Sequence, residues 1–368
     1  MVRSLKKLLK LLISYFLFYS GAIYFLKSLS KLRRGVRILE YHRVTNCYDE
    51  QIRFSLSQLL VSEDTFKRQM EHLSKRCEII SLDTFVCFIQ RGIELPSNSV
   101  VITFDDGYRD NYTVAYPILR EYGISATFFL TTDYIGTDQV FWWDRVACLL
   151  NKAEVQVVSS SNSEQLYTSG LLREVNGAIA APPTKKHELI REVILLIGEL
   201  DEERRGLLVA DLVDKLTISM GEDAKRYNPM LSWEEVREMK EHGMSFGSHT
   251  RTHPILTDLS QQARDEISGS KNEIERNLGI TVTCLAYPGG QVNEKVKKLT
   301  VESGYVCGCS EIPGTNGLKS DLFALKRNFV GEEGSTGFGG KFSKPLFAAQ
   351  MAGIFDIKLP WNRKALQG

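Results

Sequence analysis

Net charge is nearly absent from this sequence: 46 lysines and arginines against 45 aspartates and glutamates leave +1 over 368 residues. That balance excludes a global field able to recruit nucleic acid or another acidic polymer. Paired cysteine spacing is missing as well. The seven cysteines are scattered and odd in number. Neither Cys307-x-Cys309 nor the isolated Cys284 has the spacing of a disulfide framework or a structural zinc site, so buried thiols are expected. Histidine is scarce, with six in the chain, and no short internal repeat is visible. What is present is ordinary globular composition, 43% hydrophobic and 25% charged. It suits one large domain with insertions, or two domains.

Long apolar runs are also lacking, except at the N-terminus. Leu11 to Leu26 is uncharged and strongly apolar, with Arg3, Lys6, Lys7 and Lys10 before it and Lys27, Lys31, Arg33 and Arg34 after it. A spanning helix needs roughly 20 apolar residues, so this run is marginal. A signal peptide would share the basic start, but no small-residue cleavage site is evident. Basic flanks on both sides set no orientation; they suit a helix lying on an anionic membrane surface with tyrosines at headgroup depth. The competing reading is an amphipathic helix packed on the folded domain. Residues 1–35 are therefore expected to be a membrane-associating helix, 36–340 the main domain and 341–368 a C-terminal tail.

Val36 to His42 reads as a first strand. Ser62 caps a helix through Glu63 to Leu73, with Phe66, Met70 and Leu73 on one face. Ser99-Val100-Val101-Ile102 has no helical period and reads as a buried strand. Asn111 to Tyr122 is helical, with a kink expected at Pro117, and Ser125 to Thr131 is another strand. Residues 144–230 change character: a polar stretch, a break at Ala180-Ala181-Pro182-Pro183, then charged helical periodicity from Lys186 to Leu216. They read as a mainly helical insertion. Ser232 with Glu235 three residues on is a capping-box pattern. Strands then alternate with helices to Val330, which points to a parallel sheet, closed or open.

Thr103-Phe104-Asp105-Asp106-Gly107-Tyr108 places two carboxylates at a strand's carboxyl end, where α/β folds put their chemistry. Alternation sends neighbouring side chains to opposite sides, so one acid can hold a metal while the other moves a proton. Asp-Gly is also ordinary turn chemistry. Ser248-His249-Thr250-Arg251-Thr252-His253-Pro254 follows a second strand, and Pro254 keeps His253 out of α geometry. Two imidazoles and one carboxylate make a ligand set for Zn²⁺ or a similar ion with a position left for water; loop histidines placed by chance are the alternative. His42 ends the first strand and can be a ligand, a general acid or a histidine satisfied by backbone. His72, His187 and His242 are expected at the surface. Ala286-Tyr287-Pro288-Gly289-Gly290 offers backbone N–H groups to an oxyanion, or is a plain turn.

Together these motifs resemble the polysaccharide deacetylase family, the carbohydrate esterases with a NodB-homology domain. Thr103 to Gly107 is similar to its first motif and His249 to His253 to its second, over about Val36 to Val330 apart from the insertion. The resemblance implies an α/β fold, a distorted (β/α) barrel of the NodB-homology type with a mainly helical insertion. It implies that Asp106, His249 and His253 bind one divalent metal, usually zinc, and that Asp105 is the general base. Ala286 to Gly290 is similar to the third motif, although the arginine often found ahead of its proline is missing and Gly289 stands where tyrosine is frequent. Tyr108, Tyr287 and Gly289 are the oxyanion and substrate candidates. The late Leu-x-His motif is absent; Ala324-Leu325-Lys326-Arg327-Asn328 has no histidine. Ile38 to His42 is similar to the arrangement of the branch acting on poly-N-acetylglucosamine, which makes His42 the candidate general acid. Trp142 and Trp143 in Phe141-Trp142-Trp143-Asp144 form an aromatic wall for sugar rings, or a packed core edge.

The expected activity is metal-dependent removal of N-acetyl groups from an amino-sugar polysaccharide or lipid-linked glycan. The expected partners are that acetylated glycan and a membrane surface, in a bacterial cell envelope and without nucleic acid. Two rivals remain: a non-catalytic glycan-binding protein on a degenerate deacetylase fold, and a metal-dependent phosphoesterase with a second metal.

Overall fold

The structure, a computed structural model, describes residues 2–23, 25, 35–96, 98–153, 169–216 and 225–355. Seven short strands, all but the last largely buried, run parallel around a nearly closed barrel: β1 (Arg37–Tyr41), β2 (Ser99–Phe104), β3 (Thr127–Leu130), β4 (Ser245–Ser248), β5 (Cys284–Ala286), β6 (Cys307–Cys309) and β7 (Arg327–Phe329). Neighbours in space are neighbours in sequence, and the last strand pairs with the first, Ile38 opposite Arg327. A bridge between Cys309 and Leu325 draws β6 toward the segment that enters β7. A short strand, Glu78–Ile79, pairs with the start of β2 where β3 has not yet begun.

Alternation along each strand divides the core in two. Val36, Ile38, Val101, Phe129, Ala286, Cys309 and Leu325 fill the barrel interior. Leu39, Tyr41, Ile102, Phe104, Phe128 and Leu130 face outward onto the helices. Gly247 in β4 fits because a Cβ there would come within 2.6 Å of the Phe129 ring.

The longer helices among the described residues are α1 (Val2–Tyr19), α2 (Glu63–Arg76), α3 (Leu82–Arg91), α4 (Tyr116–Glu121), α5 (Trp142–Lys152), α6 (Ser169–Ile179), α7 (Pro183–Gly198), α8 (Glu202–Leu216), α9 (Trp233–Glu241), α10 (Gln262–Leu278), α11 (Glu294–Glu302) and α12 (Lys344–Met351). Ser62 accepts from the Thr65 N–H at the start of α2, and Ser232 with Glu235 completes the capping box of α9. The helix expected from Asn111 differs in detail. A wider turn over Asn111–Ala115 precedes α4, so Pro117 falls in the first turn, where its missing N–H breaks no bond.

Helices α5 to α8 form the insertion and bring their own apolar core: Val146, Leu149, Val193, Ile197, Leu208 and Leu212, joined to Tyr108. The polar stretch of the insertion falls largely in residues 154–168, outside the described residues. His72, expected at the surface, is buried, because α12 lays the Phe347 ring 5.6 Å from it. Helix α1 packs one face on α12, with Leu11 and Ser14 buried. Among the described residues no helix is long and apolar enough to cross a membrane.

Phe128 stacks 4.7 Å from Phe104 between sheet and helices. Phe128→Ala is expected to cost about 3–5 kcal/mol, the usual range for deleting a buried ring, measured by urea denaturation.

Candidate active site

The paired acids part company at the end of β2. The Asp105 N–H donates to the Tyr41 carbonyl (3.0 Å), extending the β1–β2 ladder by one residue. Asp105 therefore stays in phase with Val101 and Thr103 and points into the barrel. Asp106 leaves the strand with φ +74, a left-handed conformation that aspartate tolerates better than most residues. Gly107 follows at φ +87. The two carboxylates are thus aimed at different surroundings, and both are buried.

Asp106 meets the histidines. Its Oδ1 is 3.5 Å from Nε2 of His249 and 3.5 Å from Nε2 of His253, and the three ligand atoms lie within 4.8 Å of one another. His249 extends β4, its N–H donating to the Leu130 carbonyl. Its Nδ1 is 2.9 Å from the Ala286 carbonyl, which can only accept. Nδ1 thus carries the hydrogen and Nε2 offers its lone pair to the site. His253, at φ +65, is held by its N–H on the Thr250 hydroxyl and flanked edge-on by Trp143 at 5.0 Å. Neither Asp106 oxygen has a hydrogen-bond partner among the described residues. Burial, with Asp105 and Asp144 adding to it, pushes the Asp106 carboxyl well above its ordinary range. Burial also lowers both imidazoles, with His249 adding to the effect at His253. A buried carboxylate with empty lone pairs facing two neutral imidazoles fits a divalent cation.

Asp105 faces a cation that the chain itself supplies. Arg327, on β7, holds it in a bidentate pair: Nη1 donates to Oδ1 and Nη2 to Oδ2, each at 2.7 Å, with both side chains fully buried. Burial alone would raise the Asp105 carboxyl. Arg327, helped by His249 and His42, outweighs it and holds the group below the usual carboxylate range. Sequence reasoning passed over this arginine as part of a segment lacking histidine. No local signal marks it, since of the three residues of its strand only Arg327 is buried. Glu40 was missed too; it lies on β1 beside Arg327 (3.5 Å), with burial as the main cause of a strongly raised carboxyl.

His42 closes the far side. It is buried, and burial lowers its imidazole from 6.5 to about 4, partly opposed by Asp105. Glu40, His42 and Asp105 present ligand atoms within 4.8 Å of one another. Arg327 already supplies the positive charge of this second group, so it does not suit a second metal. His42, Asp106, Trp143, His253, Gly289 and Phe329 share a cleft of about 340 Å³.

The remaining candidates separate. Gly289, at φ +62, is on the cleft wall, whereas the Tyr287 ring is buried and its hydroxyl donates to the Phe323 carbonyl (3.0 Å). The Tyr108 side chain is also buried, donating to Asp144 (2.6 Å) and accepting from Trp143 Nε1 (2.9 Å). Its bridge to Met230 uses the Gly107 carbonyl and the Arg109 N–H, which leaves the Tyr108 N–H out of the ladder. Trp143 lines the cleft; Trp142 turns toward Arg205 and the insertion.

Two outcomes follow from this geometry. Arg327→Met leaves Asp105 buried without its partner and is expected to cost about 3–5 kcal/mol in denaturant unfolding, with Arg327→Lys losing less. His42 binds a proton less readily folded than unfolded, so the unfolded chain takes up more protons between pH 6.5 and about 4. Stability of the metal-free protein therefore falls as pH drops through that window, and His42→Asn is expected to flatten the slope in thermal melts.

The family model described as polysaccharide deacetylase matches residues 92–169 and 209–308. YxkH of Bacillus subtilis (strain 168) is 25% identical over 229 residues, covering 62% of this chain and 50% of that protein. The poly-beta-1,6-N-acetyl-D-glucosamine N-deacetylase of Staphylococcus aureus is 29% identical over 153 residues, covering 39% of this chain and 48% of that protein. The chain thus spans about half the length of these curated relatives. Among solved structures, Streptococcus pyogenes deacetylase PplD in complex with acetate has a TM-score of 0.52 at 20% identity, covering 81% of this chain and 93% of that one. IcaB from Ammonifex degensii has a TM-score of 0.53 at 16% identity, covering 87% and 97%. These likenesses carry the barrel fold, and the matched residues of the family model include both acids and both histidines of the site. The chain belongs to the polysaccharide deacetylase family.

Proposed function

We propose that this protein is a metal-dependent hydrolase that removes N-acetyl groups from an amino-sugar polysaccharide or lipid-linked glycan. The observation that carries the reading is the division of labour between the adjacent acids. Asp106 is open to a cation beside His249 and His253, while Asp105, buried behind it with Oδ2 3.9 Å from His249 Nε2, is ionised and clamped by Arg327. The named activity of the Staphylococcus aureus relative supports the same substrate class.

Asp106, His249 and His253 would hold the metal, with zinc favoured by the two-imidazole, one-carboxylate donor set. When bound, such a cation supplies Lewis-acid polarisation of the acetyl carbonyl and a water of lowered pKa. The residues of the chain do the rest. Asp105 accepts the proton of the attacking water; each of its oxygens keeps a lone pair beyond the one given to Arg327. Backbone N–H groups of Gly289 and Tyr108 are the donors for the developing oxyanion. His42 delivers a proton to the departing amine nitrogen. Its imidazole is neutral at rest, so it draws that proton from Asp105, whose proton affinity Arg327 keeps low. The two groups are within 4.8 Å. Water and amide thereby become acetate and free amine. Trp143 forms the wall of the cleft on the side of His253.

The same geometry weighs against the phosphoesterase reading. A second metal would have to displace Arg327.

Acetate release from N-acetylated glucosamine oligomers tests the reading. Asp105→Asn is expected to retain one metal per chain but lose at least ~10²-fold in rate, the scale of general-base loss. His42→Ala should fall similarly, and a chelator should abolish turnover reversibly. Normal acetate release by Asp105→Asn, or full activity of metal-free protein, would overturn it.

A further inference from the structure

Helix α1 is apolar on two sides, and the barrel covers one. Leu11 and Ser14 are buried, and Leu17 and Phe18 pack with Ile23 against Ala348 and Ala349 of α12. The other side carries Leu8, Leu9, Leu12, Ile13, Phe16 and Tyr19, exposed by 37% to 73%. At 3.6 residues per turn these six cover an arc of roughly 140°. A surface helix ordinarily turns its polar side to water, and a contiguous apolar strip of this kind marks a contact surface.

Charge selects what covers it. No acidic residue occurs from Val2 to Tyr19, whereas Arg3, Lys6, Lys7 and Lys10 lie in the first half of the helix. The first 35 residues hold eight basic and no acidic residues. The other 333 hold 38 basic and 45 acidic, a net charge of −7. The net positive charge is thus confined to the N-terminal segment that bears the apolar strip. A second copy would bring two acid-free basic helices together, which like-charge repulsion opposes.

We propose that the outward face of α1 docks this protein on an anionic lipid surface, with the helix lying in the plane of the membrane. Leu, Phe and Tyr side chains enter the headgroup boundary, and the net positive charge of the segment draws it to the anionic surface. The helix also sets the orientation of the cleft. Lys7 reaches Thr336, in the loop that leaves the carboxyl end of β7. Ile23, beyond the far end of the helix, shares a cavity with Arg37, Asn98 and Ser99 at the amino ends of β1 and β2. Helix α1 therefore runs down the side of the barrel from mouth to base, and docking lays the barrel on its side. The cleft then opens along the membrane, at the height of a glycan held close to the lipid.

Co-sedimentation of the full chain with vesicles of phosphatidylcholine, alone or mixed with phosphatidylglycerol, tests this independently of activity. The expected result is binding to the anionic vesicles, roughly 10-fold or more above binding to phosphatidylcholine alone, and weakened by salt. The double variant Leu12→Ser/Phe16→Ser should stay in the supernatant. It should keep its circular dichroism, since both side chains are exposed. Failure of the native chain to bind either vesicle, or equal binding by the double variant, overturns the proposal. A concentration-dependent dimer in sedimentation equilibrium that the double variant abolishes would also overturn it, assigning the face to a second copy.

Discussion

The Arg327–Asp105 pair is the constraint around which the barrel mouth is arranged. A guanidinium and a carboxylate removed from water are each costly, and only bidentate geometry with satisfied hydrogen bonds repays the desolvation. Both sit on strands whose register is fixed by neighbours, so the carboxylate has one orientation. Glu40 also faces this region, and burial with the charge of Asp105 pushes its carboxyl up. One cation thus lies between two acids, and the one with two direct bonds to it keeps its charge. The ionised acid is the chain neighbour of the carboxylate that faces both imidazoles, which is the distribution the proposed reaction uses.

A second buried arginine ties the barrel to the insertion. Arg43, just past β1, donates to Asp110 (2.7 Å), Ser55 (3.1 Å) and Asn228 (2.6 Å) and lies 4.2 Å over the Tyr108 ring. Tyr108 in turn holds Asp144 and Trp143 from the first turn of α5. The cleft wall therefore hangs on the loop that carries the paired acids, through a chain of hydrogen bonds buried on every side. Helices α6 to α8 stand behind that first turn and stabilise it through their own core.

Much of this was legible in the sequence because the informative residues stand beside strand ends. The acids follow a β-branched run, the histidines follow a second strand, and capping residues such as Ser62 and Ser232 mark the helices between. Arg327 was not legible. Its partner is 222 residues away, and the strand it sits on has only three residues. Nothing local distinguishes it from a surface arginine. The split between Tyr287 and Gly289, and between Trp142 and Trp143, depends on backbone direction within a turn, which composition does not encode. The burial of His72 depends on α12, a helix whose docking no nearby residue announces.

The pairing of the first strand with the last has a consequence for how the site comes into being. Ile38 lies opposite Arg327, so the strand bearing Glu40 and leading to His42 can be completed only by nearly the last residues of the barrel. Contacts this distant in sequence form late and slowly. As the chain emerges during synthesis, Asp105, Asp106, His249 and His253 are all present before Arg327 exists. Until then Asp105 has no guanidinium partner to fix the orientation of its carboxylate. The four residues that the proposed reaction places at the cleft thus precede in the chain the arginine that clamps one of them, and that clamp forms only with closure of the barrel.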